Sequence, residues 1–140
     1  ESIIVVVDEA YHEYLDEEKY LSAISWVSEF PNLIVTRTFS KAYGLAGLRI
    51  GYGISHPVVT NILNRVRQPF NANSIALTAA EAALSDSVFL EQSIKNNKDG
   101  MLQLTEAFKQ MSLDFIPSVG NFVCVDVKSD CGVVYESLLC

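Results

Sequence analysis

The stretch IIVVVDEAY, at residues 3–11, decides the fold of this chain. The five aliphatic residues at its start indicate a strand buried on both faces, as in a parallel sheet, because a half-exposed strand would alternate with polar residues. The strand delivers Asp8, Glu9 and Tyr11 to its carboxyl end, where open α/β sheets bind their ligands. The stretch therefore predicts an α/β fold with a functional site at the end of the first strand.

A second strand is predicted at residues 33–38, LIVTRT, which is rich in β-branched side chains. The segment between the two strands, residues 20–30, is predicted to be a helix that Pro31 ends, because its apolar residues recur at helical spacing. Those residues are Leu21, Ile24, Val27 and Phe30. Together the three elements form a βαβ unit, so we expect the two strand ends to converge on one site.

A third strand is predicted at residues 49–54, after a connection too short for a parallel crossover. We therefore expect it to run antiparallel to its neighbour. Pro57 suits the start of a helix, and Pro69 interrupts the apolar pattern that follows it. An alanine-rich helix is then predicted to begin at a Ser74 cap.

The last third of the sequence predicts one long helix and a strand pair. Asp86 is a plausible cap for a helix that carries apolar residues as far as Met111, and residues 113–116 and 122–127 read as two strands. We expect a domain boundary within the helix, near residues 86–100. Both ends of the sequence interrupt a pattern, which predicts an interior piece of a longer polypeptide.

Composition excludes several classes of function. The 140 residues are 49% hydrophobic, enough for a folded core, and 17 acidic against 10 basic residues give a formal charge of −7. Such a charge would repel nucleic acid and anionic membrane surfaces. The sequence has no apolar run of membrane-spanning length and no signal-peptide pattern at its start. We expect a protein that binds neither nucleic acid nor membrane.

The three cysteines predict a reducing environment. Cys124, Cys131 and Cys140 are odd in number and lack the spacing of a metal site or a CxxC motif, so we interpret them as free thiols of a cytoplasmic protein. No metal site is expected.

Lys41 stands in the stretch SKAYGLAGLR, at residues 40–49, among hydroxyls, glycines and apolar residues. A surface lysine would not need such neighbours. To form an imine, the amine must lose a proton near neutral pH, and we expect burial and the nearby cations Arg37 and Arg49 to favour that loss. The usual alternative is a solvated lysine, which this context disfavours.

Two side chains of the first stretch suit a cofactor with a protonated ring nitrogen. Asp8 is placed to hold such a proton through a charge-assisted hydrogen bond, although an aspartate at a strand end is more often a cap for the following loop. The Tyr11 hydroxyl could reach a phenolic oxygen, or Tyr11 could be a half-buried aromatic. We expect Glu9 to be a hydrogen-bonding residue at the core edge and His12 a satisfied loop histidine, and neither receives a catalytic role.

Arg49 suits an anion. Its planar guanidinium could grip a phosphate dianion bidentately, with Ser40 and Thr38 adding hydroxyl donors, while a solvated strand-end arginine is the competing interpretation.

Together, the motifs VDEAY and SKAYGLAGLR resemble those of fold-type I pyridoxal-5′-phosphate (PLP) aminotransferases, most closely the histidinol-phosphate aminotransferase family. The resemblance implies that Asp8 binds the pyridine nitrogen, Tyr11 the O3′ oxygen and Arg49 the phosphate, and that Lys41 forms the Schiff base. It covers residues 3–54 strongly and residues 65–127 weakly.

The resemblance also implies an architecture and a reaction. Residues 1–90 would be the second half of a mostly parallel PLP-binding large domain, and residues 91–140 a connecting helix and the start of an α+β small domain. The activity would be transfer of an amino group between histidinol phosphate and 2-oxoglutarate by a homodimer. The family's phosphate-binding glycine turn and substrate-binding arginines are absent here, so we expect this chain alone to be inactive.

Three alternatives stay open from the sequence. Another fold-type I enzyme, such as an aromatic or aspartate aminotransferase or a decarboxylase, would use the same cofactor residues, because they do not choose which bond breaks. A catalytically silent dimerisation piece is the second. A P-loop ATPase is disfavoured, because no GxxxxGK[ST] motif occurs and the cluster around Lys41 would have no purpose.

Overall fold

The computed structural model describes residues 3–15 and 20–139. Its main sheet has three strands in the order β1 (Val5–Asp8), β2 (Leu33–Thr38) and β3 (Gly51–Ser55). β1 and β2 are parallel, with Asp8 opposite Thr36, and β2 and β3 are antiparallel. Both predicted orientations are confirmed. Because the parallel strands end at the same edge, the segments that follow them begin side by side.

The helix predicted for residues 20–30 is wrong. The segment contains one short 3-10 helix, Ala23–Trp26, and a second 3-10 helix, His12–Tyr14, follows β1. Two physical causes favour the shorter form. β-Branched and aromatic residues have modest helix propensity, and the Glu9 carboxylate accepts hydrogen bonds from the Ala23 amide and the Ser22 hydroxyl at the start of the turn.

Four α-helices follow in the rest of the chain: α1 (Pro57–Val66), α2 (Ser74–Ser85), α3 (Ser87–Gln110) and α4 (Cys131–Leu138). The predicted start at Pro57 is confirmed, as is the Asp86 cap, whose Oδ1 accepts a hydrogen bond from the Phe89 amide at 2.9 Å. The cap of α2 is Asn73 rather than Ser74, because the Asn73 Oδ1 accepts from the Ala76 amide at 2.8 Å.

The predicted strand pair at the end of the chain forms a second sheet. β4 (Phe115–Ile116) and β5 (Cys124–Val125) are antiparallel, and both are shorter than the sequence predicts. The turn between them is tied to α3, because the Asn97 side-chain amide donates a hydrogen bond to the Gly120 carbonyl at 3.1 Å.

Two small apolar clusters hold the main sheet. One lies beside the loop that follows β2 and consists of Phe39, Ile50, Ala76 and Ala80. The other lies under β1 and β2 and consists of Ala23, Leu33 and Val35. The first strand departs from expectation, since Val5 and Val6 are 44% and 57% exposed instead of buried. β1 is an edge strand in the described part of the chain, with β2 as its one neighbour.

Candidate active site

Asp8 lies at the carboxyl edge of the main sheet, as the last residue of β1. Its Oδ1 accepts hydrogen bonds from the Ala10 amide at 3.1 Å and from the Thr36 hydroxyl at 3.2 Å. Asp8 therefore does cap the following turn, which was the alternative to a functional role. Within the described ranges its second oxygen accepts no hydrogen bond, so the same carboxylate can also receive a proton donor from a ligand.

Lys41 and Tyr11 meet at this edge. Lys41 follows the end of β2 by three residues, and its Nζ lies 5.2 Å from the centre of the Tyr11 ring, within the range of a cation–π contact. Lys41 is half-buried, and no described carboxylate lies within 4.0 Å of it. The amine is thus held by an aromatic ring, an interaction much weaker than a buried ion pair, and it remains available for chemistry.

Arg49 and Ser40 form the predicted pair of anion donors. Arg49 Nη1 donates to the Ala46 carbonyl at 2.9 Å and lies 3.4 Å from the Ser40 hydroxyl. The Arg49 backbone is left-handed, with φ of 52°, a conformation that costs energy for a residue with a Cβ and that is often retained at functional sites. Among the described residues, the Nε and Nη2 groups have no acceptor, so they can donate to a phosphate.

Thr38 lies at the end of β2, and its hydroxyl accepts a hydrogen bond from the Ser40 amide at 3.0 Å. That bond shapes the loop that carries Lys41. Thr38 therefore has a local structural role, to which a hydrogen bond from its hydroxyl proton to a ligand could be added.

Glu9 and Arg37 pair on the other face of β2, because Arg37 alternates with Thr36 along the strand. Glu9 is 3% exposed, and its Oε2 accepts from Arg37 Nη2 at 2.8 Å. The prediction that Glu9 is a hydrogen-bonding residue at the core edge is confirmed. The prediction that Arg37 acts on the Lys41 amine is wrong, because the Arg37 charge is compensated by Glu9.

The pKa values of this pair follow from their contacts. Burial by itself would raise the pKa of the Glu9 carboxyl, but hydrogen bonds from Ala23, Ser22 and Arg37 and the charge of Arg37 outweigh it, so the pKa lies below its ordinary value. Burial likewise opposes the charged form of Arg37, yet the contacts with Glu9 raise its pKa. Both groups are therefore charged over the whole physiological range.

Two polar residues beside this pair are less well satisfied. His12 Nδ1 and both carboxylate oxygens of Glu13 are buried without a hydrogen-bond partner in the described ranges. His12 Nδ1 lies 3.8 Å from Glu9 Oε2, so the expectation of a satisfied loop histidine is not met at that atom. His56, by contrast, caps α1 by accepting from the Val58 amide at 3.3 Å.

Thr36 is the site residue that sequence reasoning missed. Its hydroxyl orients the Asp8 carboxylate, and the signal was present in principle, since a parallel pairing of β1 and β2 places some residue of β2 opposite Asp8. The exact register, however, depends on packing rather than on local pattern.

The second sheet borders the same site. The Phe122 ring packs edge-on against Tyr11 with ring centres 5.4 Å apart, and a Cβ on Gly120 would lie 3.1 Å from Tyr11 Cδ1. An apolar cavity of about 330 Å³ opens between Tyr11 and this sheet; its other lining residues include Ile116, Pro117, Val119 and Cys124. Tyr11 is therefore held between Lys41 and the second sheet.

Two further features concern the described residues alone. Cys124 and Cys131 are exposed free thiols, whereas Cys140 lies outside the described residues. In residues 3–15 and 20–139, no group of three metal-binding side chains lies together, and none of the helices is both long and apolar enough to cross a membrane.

The fold is that of the fold-type I PLP-dependent transferases. A carboxylate and a lysine at the ends of adjacent parallel strands, with an arginine–hydroxyl pair nearby, match a site for a phosphorylated cofactor. More specifically, the chain belongs to the class I and II aminotransferase family, whose model matches residues 1–133.

Named relatives narrow the similarity. The chain is 59% identical over 139 residues to histidinol-phosphate aminotransferase 1 of Nitrosococcus oceani, covering 99% of this chain and 38% of that protein. It is 56% identical over 128 residues to the protein of the same name from Cupriavidus pinatubonensis, covering 91% and 34%. The chain thus spans little more than a third of the length of the relatives it matches.

Solved structures agree. The crystal structure of histidinol-phosphate aminotransferase from Sinorhizobium meliloti in complex with PLP superposes with a TM-score of 0.84 at 36% identity, over 94% of this chain and 36% of that one. The enzyme of the same name from Clostridium acetobutylicum, at 24% identity, shows the shared fold with a TM-score of 0.86 over 99% of this chain and 42% of that one.

Proposed function

We propose that the full-length protein containing this chain is a PLP-dependent aminotransferase that moves an amino group between histidinol phosphate and 2-oxoglutarate. One observation carries the proposal: the ends of β1 and β2 bring Asp8, Tyr11 and Lys41 to one edge of the sheet, beside the Arg49–Ser40 pair. The named relatives, at 56% and 59% identity, support the choice of substrate.

The donor set fits PLP. Asp8 has an oxygen free of hydrogen bonds in the described ranges, which suits a pyridine N–H, and Arg49 has two N–H groups without acceptors, which suit a phosphate dianion. When bound, PLP supplies an electron sink for the bonds at the substrate Cα. Asp8 keeps the ring nitrogen protonated, and Arg49 with Ser40 and Thr38 holds the phosphate.

Lys41 binds covalently to the cofactor and, when substrate displaces it, carries a proton at Nζ. A primary amine can do both only if it loses its proton near neutral pH, and a lysine that has no carboxylate partner in the described ranges is not held in its charged form. Tyr11 contributes its hydroxyl to the cofactor's phenolic oxygen, while its ring supports Lys41.

The remaining parts of the proposal concern organisation. Residues 1–90 belong to the large domain, and residues 91–140 form the connecting helix and the start of the small domain, in line with the two separate sheets. The protein works in the cytoplasm as a homodimer, with exposed thiols that a reducing compartment preserves.

The test is a substrate panel. Purified full-length protein with PLP is given 2-oxoglutarate and, in turn, histidinol phosphate, an aromatic amino acid and aspartate, and the formation of glutamate and the release of CO₂ are followed. We expect kcat/KM for histidinol phosphate to exceed the others by at least about tenfold, which corresponds to roughly 1.4 kcal/mol of transition-state discrimination. Release of CO₂ without glutamate would replace the aminotransferase with a decarboxylase.

A further inference from the structure

Behind the candidate site, one carboxylate gathers five donor contacts. The two oxygens of Glu9 accept from the Ala23 amide at 2.7 Å, from the Ser22 hydroxyl at 2.8 and 3.1 Å, and from Arg37 Nε and Nη2 at 3.1 and 2.8 Å. Arg37 Nη2 also contacts the Ser22 hydroxyl at 3.0 Å. A single buried side chain thus joins the end of β1, the middle of β2 and the 3-10 turn between them.

The positions of the two charged residues in the chain make this cluster relevant to the site. Glu9 directly follows Asp8, and its amide donates to the Thr36 carbonyl at 2.9 Å. Arg37 directly follows Thr36, whose hydroxyl holds Asp8, and precedes Lys41 by four residues. Any movement of the Glu9 side chain relative to Arg37 therefore moves Asp8 relative to the loop that carries Lys41.

We propose that Glu9 and Arg37 are positioning residues, whose ion pair sets the separation between Asp8 and Lys41. The inference rests on the proposed function, since that separation matters only if one cofactor must reach both side chains. Neither residue touches the cofactor in this account. They act through the backbone, because a bidentate Arg–carboxylate contact fixes both distance and orientation.

A purely stabilising ion pair would behave differently. Replacing a buried pair with neutral groups of similar size often leaves stability unchanged, whereas removing one partner leaves an uncompensated charge and destabilises the fold. Stability can therefore be restored by a neutral pair. Position cannot, because a glutamine at residue 37 is shorter than the arginine and lacks its planar fork.

The experiment uses the full-length protein and three changes: Glu9→Gln, Arg37→Gln, and both together. Each variant is measured for its unfolding midpoint without cofactor, its PLP dissociation constant, kcat and substrate KM, and hydrogen exchange of peptides covering residues 8–11 and 40–43. The matched control is the exposed Lys95–Asp99 pair of α3, changed to Lys95→Gln/Asp99→Asn.

We expect the single variants to unfold at lower temperature and the double variant to recover most of that loss. The double variant should still bind PLP at least about tenfold more weakly and turn over about a hundredfold more slowly, with KM changed by less than about threefold, because a misplaced group reduces rate more than ground-state binding of substrate. Exchange at both peptides should stay fast. The control variant should match the wild type in every measurement.

Recovery of PLP affinity, kcat and exchange together with stability in the double variant would overturn the inference and leave the proposed function intact. If the wild type itself neither binds PLP nor forms glutamate, the proposed function fails. Hydrogen exchange then still decides the positioning claim, since slow exchange at both peptides in the double variant would contradict it.

Discussion

The two faces of β2 handle polar groups in opposite ways. On one face, Asp8 has an oxygen without a hydrogen bond in the described ranges, and Lys41 rests on an aromatic ring. On the other face, the buried Glu9 carboxylate accepts from a backbone amide, a hydroxyl and a guanidinium. The first face keeps bonding capacity for a ligand, and the second uses its capacity to hold the strands together.

This difference teaches how to separate functional from structural charges in one small region. A charge that a protein uses for binding must exchange its solvent for a ligand, so its partners are few and weak. A charge used for architecture is buried and nearly saturated, because an unpaired buried charge destabilises the fold. The predictions below test that division in the full-length protein.

Lys41→Ala should have the largest effect. It removes the covalent link and the proton carrier together, so we expect turnover to fall by at least about 10⁴-fold, with the visible absorption of lysine-linked PLP lost. The unfolding midpoint should change little, since the amine has no ion pair in the described ranges. Lys95→Ala, on the exposed face of α3, is the matched control. Appreciable turnover by purified Lys41→Ala would defeat the assignment of this lysine.

Asp8→Asn separates the cap from the proton holder. The amide oxygen can still accept from Ala10 and Thr36, so stability should be nearly unchanged, but a neutral group cannot hold the pyridinium charge. We expect kcat to fall about a hundredfold to a thousandfold, the range seen when a preorganised electrostatic contact is lost. Thermal unfolding and steady-state kinetics measure the two effects. Near-normal kcat would show that Asp8 serves only as a cap.

Arg49→Ala and Arg49→Gly test the anion site and its left-handed backbone. Both variants should bind PLP about tenfold to a hundredfold more weakly, because charge-assisted hydrogen bonds contribute roughly 1.5–3 kcal/mol. Glycine adopts positive φ without the Cβ clash, so the glycine variant should be more stable than the alanine variant by about 1 kcal/mol. Titration with PLP and denaturant unfolding give the two values. Equal PLP affinity in wild type and both variants would move the phosphate site elsewhere.

Acid lability of Glu9 should be the smallest effect. Its pKa is lowered in the folded state, so the Glu9 carboxylate stabilises the protein above the unfolded pKa of about 4.3, and that contribution disappears as the pH falls through the lower folded value. Without cofactor, the difference in unfolding free energy between wild type and Glu9→Gln should therefore shrink below about pH 4. A difference that stays constant from pH 7 to pH 3 would contradict the lowered pKa.

Local pattern carried much of the fold. The start of α1 at Pro57 and the Asp86 cap of α3 depend on residues within one helical turn, so the sequence alone was sufficient. The antiparallel orientation of β3 followed from the length of its connection. The predicted helix at residues 20–30 failed for the complementary reason, since Glu9, more than ten residues away, takes the hydrogen bonds at the start of that turn.

The sequence by itself determined which side chains stand at the ends of β1 and β2, because residue type and strand position are both properties of a short stretch. It thereby determined Asp8, Tyr11, Lys41 and Arg49 as site candidates. Only the tertiary structure decided that Arg37 pairs with Glu9 rather than facing Lys41, and that Thr36 orients Asp8. Those contacts join residues 28 apart in the chain, and the register between two strands, which packing selects, brings them within hydrogen-bond distance.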